Sequence, residues 1–209
     1  MRQIKEHDER KNEIIDTAQK LFSIKGYSLC SVNEILTEIG IAKGTFYHYF
    51  KSKEEVLDAI IARTTEIIIG RAEAAAKMKD ISPLDKIMNI FLSIRIENEM
   101  DSGLLEEMHK PENALMHQKS LRAVVSELTP ILVKVIEEGN EKGIFHAEFP
   151  KEYMQIFLAS SLTLLDDGIF KIEPMQQQLM FQALITLLSK MLNLESRLLL
   201  EKAAPYWKN

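Results

Sequence analysis

The sequence predicts an all-α fold. Helix-breaking residues are sparse, with eight glycines and six prolines in 209 residues, and both types weaken helix interiors. Apolar residues recur at three- and four-residue spacing, the period of one helix face. Where glycine and proline do occur, several stand at the expected ends and starts of helices.

The first helix is expected over about Asp8–Lys25, where Ile14, Ala18, Leu21 and Phe22 share a face and Gly26 is a C-terminal stop. Ser31 is an N-cap for the second helix, with Glu34 at the capping-box position. Val32, Ile35, Leu36 and Ile39 form its buried face, and Gly40 permits a left-handed turn. A third, short helix follows over about Lys43–Phe50, with Phe46 and Phe50 one turn apart and pointing inward. Ser52 and Glu55 cap a long fourth helix from Lys53 to about Lys79. Ser82-Pro83 opens another, running to about Asn98, and a short helical piece lies between Gly103 and Lys110. About Glu112–Asn140 is one long helix kinked by Pro130. The last two long segments are about Lys151–Lys171 and Pro174–Leu194. In the latter, Leu184, Leu187, Leu188, Met191 and Leu192 repeat at helical spacing while Met180, Phe181, Ala183 and Ile185 occupy other faces. So wide an apolar arc suits a helix that also meets a second subunit.

Residues 41–53 carry three lysines, one histidine and no acid. They follow an amphipathic segment that ends in glycine. Helix, glycine turn and short basic-aromatic helix is the layout of a helix-turn-helix reader of DNA. The net charge of −5 argues mildly the other way. However, residues 1–55 balance at nine basic and nine acidic residues, so the whole excess lies in residues 56–209. Phosphates respond to the field within about 8–10 Å rather than to the total.

Other classes are disfavoured. Cys30 is the only cysteine, which excludes an intrachain disulfide and a cysteine-rich metal site; it reads as a small semi-buried apolar residue. The charged first ten residues are not those of a signal peptide, and no run approaches the roughly twenty apolar residues that span a bilayer. The expectation is a soluble, cytoplasmic protein with no membrane contact. There is no glycine-rich phosphate loop, nucleophile elbow or paired metal-ligand motif, and His109 and His117 do not make a zinc site by themselves. No enzyme activity, cofactor or metal is expected.

Gly26-Tyr27, Ser31-Val32-x-x-Ile35, Gly40-Ile41-Ala42-Lys43-Gly44-Thr45-Phe46-Tyr47-x-Tyr49-Phe50 and Lys51-Ser52-Lys53-Glu54-Glu55-Val56-Leu57 resemble the N-terminal domain of the tetracycline-repressor (TetR/AcrR) family of transcriptional regulators. The resemblance covers roughly residues 10–60. It implies a three-helix helix-turn-helix DNA-binding domain over 1–52 and a larger helical effector-binding and dimerisation domain over 53–209. Lys43, at the start of the recognition helix, would donate to guanine or phosphate. Gly44 would let the backbone come close to DNA, and Thr45 would touch a thymine methyl or a phosphate. For Tyr47 and His48 the resemblance implies phosphate contacts, and Lys53 would meet the DNA backbone. Two positions depart from the pattern. Ala42 stands where many members have a capping serine, and Cys30 where a threonine or serine often touches phosphate, a role Ser31 would take over.

The second domain is rich in methionine and phenylalanine. Met88, Phe91, Leu92, Met108, Met116 and Phe157 are the candidate lining of a cavity for a largely apolar effector, together with Met100 and Phe170. Arg95 would anchor an anionic group. The expected partners are double-stranded operator DNA, a small-molecule effector, and a second copy of the chain joined through about 151–194. The rival readings are a DNA-binding regulator controlled by a protein partner and a helical-bundle enzyme.

Overall fold

The computed structural model describes residues 2–93, 109–166 and 168–203, with side chains from Asp8 onward except at Ser93 and Ser196. Nine helices occupy the described residues: α1 (Arg2–Lys25), α2 (Val32–Ile39), α3 (Lys43–Tyr49), α4 (Lys53–Ala76), α5 (Pro83–Ser93), α6 (Ala114–Glu141), α7 (Pro150–Leu164), α8 (Pro174–Met191) and α9 (Ser196–Ala203). A 3-10 turn at Pro111–Asn113 leads into α6, and no strand occurs among the described residues. The chain divides into two compact units. One lies within Met1–Glu66 and Glu99–Ser120, the other within Ile67–Asn98 and Leu121–Asn209.

In the first unit, α1 packs on α2 and α2 on α3. Ile14, Ile15, Ala18, Leu21 and Phe22 of α1 are buried, as are Ile35, Phe46, Phe50, Val56 and Leu57. Of the four apolar positions expected to bury on α2, Ile35 is fully covered, and Val32, Leu36 and Ile39 are half-buried. Helix α1 ends at Gly26, whose N–H donates to the Phe22 carbonyl (2.8 Å) and whose φ of +88° is left-handed. The side chain of Glu112 presses on this turn, its Cβ 2.5 Å from where a Cβ on Gly26 would stand.

The second unit has its own core. Leu84, Ile87 and Ile90 of α5, Leu128, Leu132 and Ile136 of α6, and Met154, Phe157 and Leu158 of α7 are buried with Leu184 and Leu188 of α8 and Leu199 of α9. Asn140 closes the α6–α7 connection by donating to and accepting from Ala147, both at 3.0 Å. Lys86 pairs with Glu138 at 2.8 Å.

Several boundaries differ from the sequence expectation. Helix α1 begins at Arg2 rather than near Asp8. Helix α7 ends at Leu164 rather than near Lys171, because the Asp166 carboxylate accepts from Gly168 N (2.8 Å) and its carbonyl accepts from Ile169 and Phe170, which turns the chain. Helix α9 has no counterpart in the sequence reading. Pro130 sits inside a continuous α6, where the Thr129 hydroxyl donates to the Val125 carbonyl at 2.6 Å. The short helix expected between Gly103 and Lys110 lies outside the described residues, as does the end of the helix expected to reach Asn98.

The Gly26 turn should resist substitution twice over, through its backbone conformation and through Glu112. Gly26→Ala is expected to cost about 1–3 kcal/mol for the left-handed backbone alone. Urea unfolding of the purified variant measures this, and an unchanged midpoint would contradict the tight turn.

Candidate nucleic-acid interface

The site is built from the start of α2 outward. Ser31 caps α2 in the reciprocal manner its spacing predicts. Its Oγ accepts from Glu34 N (3.3 Å), while Glu34 Oε2 accepts from Ser31 N (2.8 Å) and Ser31 Oγ (2.9 Å). Lys25 closes on the other carboxylate oxygen at 2.6 Å. This pairing, followed by the Ser31 backbone and hydroxyl hydrogen bonds, holds the Glu34 carboxyl at about 2, well below its ordinary 4.5. The same bond pushes the Lys25 ammonium up.

Gly40 then turns the chain with φ +76°, its N–H and that of Ile41 both donating to the Leu36 carbonyl. Helix α3 starts after Ala42, which provides no side-chain cap. Phe46 and Phe50 point into the core at 0% and 2% exposure, with ring centroids 6.1 Å apart. With these two residues inward, the helix period turns Lys43, Gly44, Tyr47 and His48 to solvent, and Thr45 is half-buried. Tyr47 stacks edge-on against Phe46 at 5.4 Å, and Lys43 Nζ lies 5.9 Å from the Tyr47 ring centroid. The exposed face of α3 carries no acid.

Six of the seven residues named for DNA contact, Ser31, Lys43, Gly44, Thr45, Tyr47 and His48, thus lie on α3 or at the start of α2. Lys53 is placed differently. Its ammonium donates to the carbonyls of Tyr27 (2.7 Å) and Cys30 (2.8 Å) and lies 4.3 Å from the Tyr27 ring centroid. Cys30 is buried, its Sγ 3.7 Å from the Ser31 carbonyl. Burial, then the Glu34 charge, pushes its thiol up.

Local sequence gave no sign of a further group in this unit. Asn113 is fully buried; its Oδ1 accepts from Tyr27 N (2.6 Å), and its Nδ2 donates to the Phe22 carbonyl (3.5 Å). The Glu112 carbonyl accepts from both the N–H and the hydroxyl of Ser28, each at 2.9 Å. Lys119 bridges Glu54 and Asp58 at 2.6 Å each, and these hydrogen bonds push its ammonium up. These partners are more than fifty residues from their counterparts in sequence. His109 and His117 are also neighbours, with ring centroids 5.2 Å apart.

The candidate effector residues divide. Met88 and Phe157 are buried in the core of the second unit and Phe91 packs beside them, its ring 5.4 Å from Phe157. Leu92 is half-buried. Met116 is buried, but within the segment assigned to the first unit. Phe170 is 45% exposed. Arg95, Met100 and Met108 lie outside the described residues. An open groove of about 480 Å³ runs along α8, lined by Leu179, Ala183 and Leu187 with Leu200 of α9. None of the candidate effector residues lines that groove. No described helix is long and apolar enough to cross a membrane.

Residues 14–60 match the profile described as bacterial regulatory proteins, tetR family, and residues 97–185 match a tetracyclin repressor-like C-terminal domain. Among curated relatives, the chain is 42% identical over 122 residues to the uncharacterised HTH-type transcriptional regulator YerO of Bacillus subtilis, covering 53% of this chain and 40% of that one. It is 33% identical over 143 residues to an HTH-type transcriptional regulator from the lacX 3' region of Lactococcus lactis, covering 59% and 72%. It is 29% identical over 152 residues to the HTH-type transcriptional repressor KstR2 of Mycolicibacterium smegmatis, covering 71% and 74%. Its fold resembles that of RolR, solved with resorcinol, at a TM-score of 0.65, with 18% identity and 96% of each chain covered.

The Glu34 carboxyl has its folded pKa depressed. Its contribution to stability is therefore present above the ordinary value of 4.5 and is lost as pH falls towards about 2. The difference in melting temperature between wild type and Glu34→Gln should be full at pH 7 and shrink across that window. A difference that is independent of pH would mean the cap does not depend on the carboxylate.

Proposed function

Because this chain belongs to the TetR family of bacterial regulatory proteins and is a DNA-binding transcriptional regulator, we propose that it is a homodimeric repressor released from its operator by a small, largely apolar effector. The observation that carries this reading is the acid-free face of α3, turned outward by the buried Phe46 and Phe50. Lys43 enters the major groove and donates to a base edge, Gly44 lets the backbone approach, and Thr45, Tyr47, His48 and Ser31 contact phosphate or a thymine methyl. Residues 1–52 are the reader by function, and residues 53–209 hold the effector and the partner subunit.

Repression is supported by the naming of KstR2 as a repressor, and a small effector by the resorcinol bound to RolR. The pairing of Phe91 with Phe157 beside Met88 offers apolar surface for such a molecule, with Leu92 and Arg95 as further candidates. An effector that prefers the conformation poorly matched to the operator needs a differential affinity of only a few kcal/mol, and by linkage operator DNA weakens its binding by the same factor.

The dimer is supported by apolar residues that the chain's own core does not cover. On α8, Met175, Leu179 and Leu187 are 76%, 61% and 38% exposed. Leu184 and Leu188 carry the same helical repeat but bury in the subunit's own core, at 5% and 0%. We therefore assign Leu179 and Leu187 to the partner-facing strip.

Two experiments test this reading. Lys43→Ala should lose about 1–3 kcal/mol of operator affinity and relax base preference at one position. Gly44→Ala meets nothing within 4 Å in the free protein, so it should stabilise the helix by about 0.5–1 kcal/mol and still weaken operator binding. Wild-type affinity in both variants, measured by fluorescence anisotropy, would remove α3 from the groove. Leu179→Glu combined with Leu187→Glu should give a monomer in sedimentation velocity. A double variant that remains dimeric would exclude this strip.

A further inference from the structure

The loop between α1 and α2 makes few of its polar contacts within itself. Its amides at Tyr27 and Ser28 are taken by Asn113 Oδ1 and the Glu112 carbonyl, at 2.6 and 2.9 Å. Its carbonyls at Tyr27, Ser28 and Cys30 face Lys53 Nζ, at 2.7, 3.5 and 2.8 Å. An ammonium has three N–H donors and no more. Those of Lys53 are directed at three carbonyls, and Nζ itself lies 4.3 Å from the centroid of the Tyr27 ring. A phosphate could be reached only by breaking this set. Asn113 is 0% exposed and has a partner for each end of its amide.

The loop matters because of what it leads into. Ser31, immediately after it, is the N-cap of α2, and α2 packs against α3. A shift at Cys30 therefore moves the cap and, with it, the helix that presents Lys43 and Tyr47. A 1 Å displacement of hydrogen-bonding groups is enough to spoil bidentate recognition of a base edge.

We infer that Lys53 and Asn113 are positioning residues for DNA binding, which act by holding the loop at 26–30 from its carbonyl side and its amide side. The inference rests on the reading of α3 as the recognition helix. It assigns Lys53 a task other than direct phosphate contact. It also makes Asn113, more than fifty residues beyond the helix-turn-helix, part of the reader.

The test uses the full-length protein and the tightest duplex that the wild type selects from a random-sequence pool. Affinities are measured at several salt concentrations, at a temperature where melting curves show every variant fully folded. Lys53→Met and Asn113→Ala should each bind at least about tenfold more weakly. The dependence of log affinity on log salt should keep its wild-type slope in Lys53→Met, whereas loss of a phosphate contact lowers that slope by about one unit. Lys53→Arg, which can still donate to the carbonyls, should recover most of the affinity. Hydrogen exchange supplies a readout without DNA: the amides of Tyr27 and Ser28 should lose protection in Asn113→Ala. A slope lowered by one unit in Lys53→Met, or wild-type affinity in both folded variants, overturns the inference and leaves the recognition helix standing. Failure of the wild type to select any duplex overturns both.

Discussion

The burial of Phe46 and Phe50 is the constraint on which the rest of the reader depends. A seven-residue helix with no side-chain N-cap has little stability of its own. It persists because two aromatic rings one turn apart enter a core already lined by Phe22, Ile35 and Val56. Each ring carries on the order of 150–250 Å² out of water. Once they point inward, the 3.6-residue period leaves no choice for Lys43, Gly44, Tyr47 and His48. The chemistry of the outer face is then fixed by residue type: cationic, aromatic and without a carboxylate to repel phosphate.

Around this helix, charge is used for assembly as much as for recognition. Lys25 is spent on Glu34, Lys53 on backbone carbonyls, and Lys119 on Glu54 and Asp58. The reader therefore balances near neutrality while its outward face stays basic. Exposed pairs of this kind add little net stability, because water screens them and holding two long side chains in place costs entropy. Their value lies in geometry, since they fix the loop, the cap and the first turns of α4 relative to one another.

Much of the reader was legible in the sequence because its signals are local. The Ser31–Glu34 capping box, the glycine turn at Gly40 and the Phe46–Phe50 spacing are all relations within four residues, where helix geometry alone decides. What escaped depends on contacts between distant residues. Asn113 sits in an unremarkable turn, and only the folded chain brings its amide to Tyr27. The sequence assigns Lys53 to the DNA backbone, and only the folded chain brings the carbonyls of Tyr27 and Cys30 to its ammonium. On α8 the periodicity was plain, but a stripe wider than one face does not say which leucines face inward; Leu184 and Leu188 do, and Leu179 and Leu187 do not. Helix α7 stopped early because one carboxylate, Asp166, bonded locally, a competition that apolar spacing does not register.

Amide hydrogen exchange of the intact protein, with and without the duplex it selects, addresses the role of α3 most directly. DNA in contact with the outer face of α3 should slow exchange over Lys43–Tyr49 and at the start of α2, with the effect fading as salt is raised. Protection that appears on α8 and α9 while residues 43–49 exchange as before would contradict a reader built on Phe46 and Phe50.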